Sequence, residues 1–204
     1  MTPHVQAHPW HGIPAGADAP AVVNVFVEMV PTDTVKYEVD KTTGHLKLDR
    51  PQQFSSLCPA PYGFVPRTWC KERVAALAMD ATGRTGIIGD GDPVDICVLT
   101  EREINHGGIL VRARVIGGFR LFDRGEADDK LLAVLVNDAA YGAYADVAQV
   151  PTPMVDRLRH YFLTYKDIPG EAERRCEITH IYDAATAHEV IRRAMADYAA
   201  GFPA

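Results

Sequence analysis

An α+β fold, a closed or nearly closed antiparallel β-barrel with helices packed outside it, is predicted by three features of the 204-residue chain. Short apolar or alternating segments recur from residue 22 to residue 136, separated by Gly, Pro or charged turns. Helical spacing of apolar residues emerges only later, beyond Pro151. Strands first and helices afterwards suit a sheet that curls on itself and is covered from outside. The length predicts a single domain over 1–204, with 1–20 as an N-terminal arm.

Taken in order, Val22 to Met29 is rich in β-branched residues and reads as a strand that delivers Glu28 near its end. Val35 to Val39 alternates, with Val35, Tyr37 and Val39 on one face and Lys36 and Glu38 on the other. Thr43-Gly44 then supplies a turn before Leu46 to Arg50, so the two segments read as a hairpin. Ile96 to Leu99, Ile109 to Ile116, Phe119 to Phe122 and Leu131 to Val136 continue the series of short strands. After Pro151 and Pro153, the stripe Met154, Leu158, Phe162 and Tyr165 predicts a helix ending near Lys166. A second helix is expected from about Thr186 to Tyr198, burying Val190, Ile191, Ala194 and Tyr198.

Composition removes several function classes. A net charge of -6 and a pI near 5.7 argue against a nucleic-acid binder, whose affinity depends on clustered positive charge. The longest apolar runs, such as Leu131 to Val136, are far too short for a membrane span, and Met1 to Pro20 lacks the plan of a signal peptide. A cytoplasmic chain is expected. Cys58, Cys70, Cys97 and Cys176 are widely spaced, with no Cys-x-x-Cys, and read as reduced structural thiols. His4, His8 and His11 cluster in the proline-rich arm, which reads as a poorly ordered segment or a surface strap.

The chemistry concentrates in Ile88-Gly-Asp-Gly-Asp-Pro-Val-Asp-Ile-Cys-Val-Leu99, where Asp90, Asp92 and Asp95 fall within six residues. Two carboxylates about 5 Å apart in a partly buried loop repel by roughly 3 kcal/mol, against less than about 1 in open water. The apolar strand that follows anchors the loop to the core, so it cannot drift into solvent. A bound hard cation removes the repulsion. A solvated Asp/Gly/Pro turn is the competing reading, weakened by the third Asp and by the strand. An EF-hand loop is rejected: counted from Asp90, Glu101 falls at position twelve, but Val94 and Asp95 stand at five and six and a strand follows.

A second acidic group lies in Phe122-Asp-Arg-Gly-Glu-Ala-Asp-Asp-Lys130. On its own it is a polar hairpin loop. Brought beside the first group by sheet pairing, Asp123 and Asp128 make five carboxylates, and Glu28 adds another. That oxygen-only set is enough for more than one hard cation and favours magnesium or manganese over zinc or copper. Lys36, Arg50, Tyr62, Lys130, Tyr165 and Lys166 are spaced where strands or a helix end can present donors to an anion. Carboxylates for metals joined to Lys, Arg and Tyr donors are what metal-assisted phosphoryl transfer requires.

The run Asp90-Gly-Asp-Pro-Val-Asp95, with Val27-Glu28, Val35-Lys-Tyr-Glu-Val39, Leu48-Asp-Arg50, Pro61-Tyr-Gly-Phe64, Asp123, Asp128, Lys130 and Tyr165-Lys-Asp167, resembles the soluble family I inorganic pyrophosphatases. The likeness extends from about Val22 to the C-terminal helix. It implies a small barrel resembling an OB-fold, and hydrolysis of pyrophosphate to two phosphates. Asp90, Asp95 and Asp128 would hold the first magnesium, with Asp95 shared by a second. Asp123 and Asp128 would meet a metal that arrives with the substrate, and Glu28 a further one through water. Asp92 would orient and deprotonate the attacking water. Lys36 and Tyr62 would hold the electrophilic phosphate, and Arg50, Tyr165 and Lys166 the leaving one. Lys130 would neutralise charge near the metals, and Glu38 would support the hydrogen bonding.

Two departures stand out. A long segment between Tyr62 and Asp90, including residues 67–88, resembles the longer loop of eukaryotic-type members, and Cys58 stands where an aromatic is common. The resemblance implies a homo-oligomer, with a hexamer favoured over a dimer. Rival readings are another magnesium-dependent phosphohydrolase of nucleotides or nucleotide sugars, and a metal-binding module without catalysis. The first needs a nucleoside pocket, and neither a Walker loop nor a Gly-x-Gly-x-x-Gly fingerprint is present.

Overall fold

The computed structural model describes residues 6–170 and 174–203; His4 lies outside them. In chain order the elements are β1 (Val22–Met29), β2 (Val35–Val39), β3 (Leu46–Pro51), β4 (Tyr62–Phe64), α1 (Glu72–Thr82), β5 (Ile88–Gly89), β6 (Asp95–Leu99), β7 (Ile109–Asp123), β8 (Glu126–Ala127), β9 (Lys130–Leu135), α2 (Thr152–Thr164), β10 (Cys176–Asp183) and α3 (Ala184–Gly201). The fold is a mixed α+β one whose core is mostly sheet. Eight strands form the main sheet, in which β7 pairs with β1, β8, β9 and β10, while β4 bridges β1 and β6. The expected hairpin is the separate two-stranded sheet β2–β3.

Strand alternation divides the core. Ile96 and Val98 of β6, with Leu131 and Ala133 of β9, face one cluster that α1 and α3 cover through Val74, Val190 and Ile191. Their neighbours Cys97, Leu99, Leu132 and Val134 face a second cluster, covered by Val155, Leu158 and Phe162 of α2. Strands covered on both faces read as unbroken apolar runs, as these do.

Four expectations are corrected. The sheet is not wholly antiparallel, because β6 runs parallel to β9 and β5 parallel to β8. Unbroken apolar runs such as those of β6 and β9 are the pattern of parallel strands covered on both faces. The predicted strands Ile109 to Ile116 and Phe119 to Phe122 are one 15-residue strand, β7. Gly117-Gly118 does not break it; it marks a register shift opposite β9 and a close approach, since a Cβ on Gly118 would stand 2.6 Å from the Tyr182 ring. Helix also appears early, as α1 within residues 67–88, so strands do not all precede helices. Finally, Tyr198 on α3 is only partly covered, and Asp197 beside it is buried instead.

The described part of the arm is a strap. Trp10, 5% exposed, packs with Phe26, Val39 and Phe64 and donates its indole N–H to Thr68 O at 2.8 Å. His8 sits against the β2–β3 turn, where a Cβ on Gly44 would lie 2.9 Å from its ring.

Candidate active site

One end of the main sheet gathers the chemistry. Asp95 opens β6 and Lys130 opens β9, and the two are partners across the parallel ladder. Asp123 closes β7, and Asp128 follows β8. Tyr62 opens β4, and Phe64, its neighbour on the same face, pairs with Asp95. Asp95, Lys130, Asp123, Asp128 and Tyr62 line an open cleft of about 730 Å³ together with Asp90, Asp92, Lys36, Arg50, Tyr165 and Lys166. Glu28 and Glu38 line an adjoining recess that shares Lys36, Tyr62, Asp92 and Asp95 with it. Every site residue expected from the sequence therefore faces one of two contiguous hollows.

Cations thread between the carboxylates. Lys130, 2% exposed, places Nζ 2.5 Å from Asp95 Oδ2 and in contact with Asp128 Oδ1, and Tyr62 donates to the same Asp95 oxygen. Lys166 Nζ lies 2.5 Å from Asp123 Oδ2. Lys36 Nζ bridges Glu38 Oε2 at 3.0 Å and Asp49 Oδ2 at 3.5 Å across the hairpin, and Arg50 binds Asp49. Glu28 accepts the Val39 amide at 2.7 Å, tying β1 to β2.

The electrostatics match this crowding. Burial pushes the Glu28 carboxyl up to about 8, and Asp95 and Glu38 add to it. Asp90 is raised to about 9, first by burial and then by Asp128. Burial works to lower the Lys130 ammonium, but Asp128 and Asp95 outweigh it, so Lys130 stays charged. Burial and Asp95 raise the Tyr62 phenol well above its usual value, which keeps its donor proton in place.

The donor set fits hard divalent cations. It is all oxygen, and its charge is only partly met by the lysines. Among the described residues, Asp123 Oδ1 is buried without a hydrogen-bond partner. No group of three or more carboxylate, His or Cys side chains among them is already drawn into a metal cage, and Lys130 stands between Asp95 and Asp128.

Several cleft residues carried no sequence signal. Lys41, at the hairpin end, contacts Asp92 from 51 residues away. Gln52 and Tyr161 line the main cleft, as does Glu126 from the second acidic run. Asp49 was visible in Leu48-Asp-Arg50, yet its bridging of Lys36 and Arg50 appears only once β2 and β3 are paired.

Comparison with known proteins adds an independent line. The profile of the family described as Inorganic pyrophosphatase matches residues 25–199. The chain is 46% identical over 201 residues to an inorganic pyrophosphatase of Chlamydia muridarum, covering 97% of this chain and 96% of that one. It is 37% identical to a soluble inorganic pyrophosphatase of Zea mays, covering 96% and 81%. Among solved structures, it is similar to the inorganic pyrophosphatase of Thermus thermophilus, with a TM-score of 0.78, 28% identity, and coverage of 95% and 99%.

Proposed function

The chain belongs to the inorganic pyrophosphatase family and hydrolyses inorganic pyrophosphate to phosphate with a divalent metal cofactor; from that premise we propose how its residues divide the work. The metal is magnesium, several ions per site, with manganese as a substitute. Asp90, Asp95, Asp123 and Asp128 hold it, and Glu28 makes a further contact. Bound magnesium would supply charge screening and lower the pKa of a coordinated water.

Asp92, at the cleft mouth beside Pro93, orients the attacking water and takes its proton at a carboxylate oxygen. Lys36 and Tyr62 hold the electrophilic phosphate. Arg50, Tyr165 and Lys166, which share a hollow at the edge of the cleft, receive charge that grows on the leaving phosphate. Glu38 fixes Lys36 through its 3.0 Å ion pair, and Lys130 balances Asp95 and Asp128.

The observation that carries this reading is the convergence of all these groups on one sheet end, with Asp123 Oδ1 buried and unpartnered among the described residues. The test is phosphate release from pyrophosphate with and without magnesium. Metal-dependent release is expected; release indifferent to magnesium and to chelators overturns the metal roles.

Three further points belong to the same proposal. The circuit of pairings β1–β4–β6–β9–β7–β1 supports a small closed, OB-like barrel within a single domain. No helix among the described residues is long and apolar enough to cross a membrane, and four free buried thiols support a reducing cytoplasmic setting. The enzyme is a homo-oligomer, a hexamer before a dimer, which sedimentation would decide.

A further inference from the structure

Residues 67–88, the segment that lengthens this chain between Tyr62 and Asp90, contain the structure that holds the triple-aspartate loop from behind. Four hydrogen bonds join the stretch 68–70 to the loop. The Trp69 indole N–H donates to Gly91 O at 2.9 Å, and the Cys70 amide to Asp92 O at 2.8 Å. In return the Gly91 amide donates to Cys70 O at 3.0 Å, and the Val94 amide to Thr68 Oγ1 at 2.9 Å. The fit leaves no slack: a Cβ on Gly89 would stand 2.3 Å from Cys70 O.

That stretch is itself anchored by α3. The Trp69 amide donates to Ala194 O at 2.9 Å. Asp197, 1% exposed, accepts the amides of Lys71 at 3.1 Å, Arg73 at 3.1 Å and Val74 at 3.2 Å, so it caps α1 from a distant element. Its other oxygen takes Arg73 Nη1 at 2.9 Å. Lys71, the residue before α1, offers no side-chain cap of its own. A buried carboxylate bound by three amides at a helix start is a rigid joint.

We infer that Asp197, acting through the Trp69–Lys71 stretch, is a positioning residue that sets the geometry of Asp90, Asp92 and Asp95 and thereby the affinity of the loop for magnesium. The inference rests on the metal reading of that loop. Groups that hold metal ligands in place typically tune affinity by about tenfold or more.

The test uses the full chain and reads Mg2+ binding by calorimetry without substrate, alongside the melting temperature. Asp197→Ala is expected to weaken Mg2+ binding about tenfold, Asp197→Asn less because it keeps an acceptor oxygen, and Arg73→Met not at all. Trp69→Phe keeps an aromatic ring but removes the bond to Gly91 O and part of the indole's packing on Gly201 and Phe202, so it reports on the same joint should Asp197→Ala fail to fold; a severalfold loss is expected. Variants that melt earlier yet bind Mg2+ as tightly as the parent overturn the inference and leave the metal reading intact. A parent chain that binds no Mg2+ overturns the metal reading, and the inference with it.

Discussion

Lys130 Nζ lies 2.5 Å from Asp95 Oδ2, and the two residues are direct partners in the parallel ladder between β6 and β9. The same ammonium contacts Asp128 while only 2% exposed, so one buried cation holds two carboxylates that would otherwise repel. Removing one partner of a buried ion pair commonly costs about 3 kcal/mol or more, because the remaining charge stays desolvated. Lys130→Met, similar in volume, should lower the metal-free stability by that order. Added Mg2+ should restore much of the loss, since it supplies the missing positive charge. Urea denaturation with and without Mg2+ measures both, and equal losses under the two conditions would rule out metal binding beside Lys130.

Asp92→Asn should keep the fold, because Asp92 is on the open side of the cleft, its side-chain contact with Lys41 is exposed, and its other bonds run through its backbone, from the Cys70 amide and to Asp90 Oδ1. Loss of a general base typically costs about 10²-fold or more in turnover. Steady-state kinetics at saturating Mg2+ measures this. Turnover equal to the parent's would remove Asp92 from the base role.

Gly63 leaves no room for a side chain. It pairs with Val27 on β1 and Ile96 on β6, and an added Cβ would fall 1.8 Å from the backbone oxygen of Phe26. The flanking strands must separate to admit it, which should destabilise the fold by about 3 kcal/mol and displace the neighbouring Tyr62. A melting temperature for Gly63→Ala within a degree or two of the parent's would show that β1 and β4 are less tightly paired.

Asp183 caps α3 by accepting the Thr186 amide at 2.9 Å, and that bond holds its carboxyl below the usual value. A depressed folded-state pKa stabilises above the unfolded pKa, and the contribution disappears as pH falls through the folded value. Asp183→Ala should therefore cost about 1 kcal/mol at neutral pH. The gap to the parent should close on acidification below pH 4. Denaturation series across pH would expose a gap that persists in acid, which would deny the charge a role.

The aspartates of residues 90–95 were legible because the run is contiguous and leads straight into an apolar strand. Asp123 and Asp128 needed sheet pairing to join them, and the periodicity of β7 and β9 made that pairing reasonable to expect. α1 was not legible for two reasons. Its buried face consists of Val74, Ala75 and Ala78, a weak stripe, and its cap comes from Asp197, 124 residues away from Arg73. β10, paired with β7, gave a weak signal because Glu177, His180 and Ile181 are exposed, which blurs the alternation. The lysine bridges among the carboxylates depend on long side chains meeting across strands, and no local pattern announces them.

The two halves of the cleft stand on supports of different stiffness. Asp95, Asp123 and Lys130 terminate strands of the eight-stranded sheet, whose spine β7 is hydrogen-bonded to four others. Lys36 and Arg50 ride on a two-stranded ribbon outside that sheet, where Leu48 is 55% exposed. Amide hydrogens should therefore exchange slowly along β7 and quickly along β2–β3. The carboxylates of the proposed metal site thus stand on the better-protected support, and the proposed phosphate-binding pair Lys36 and Arg50 on the less protected one.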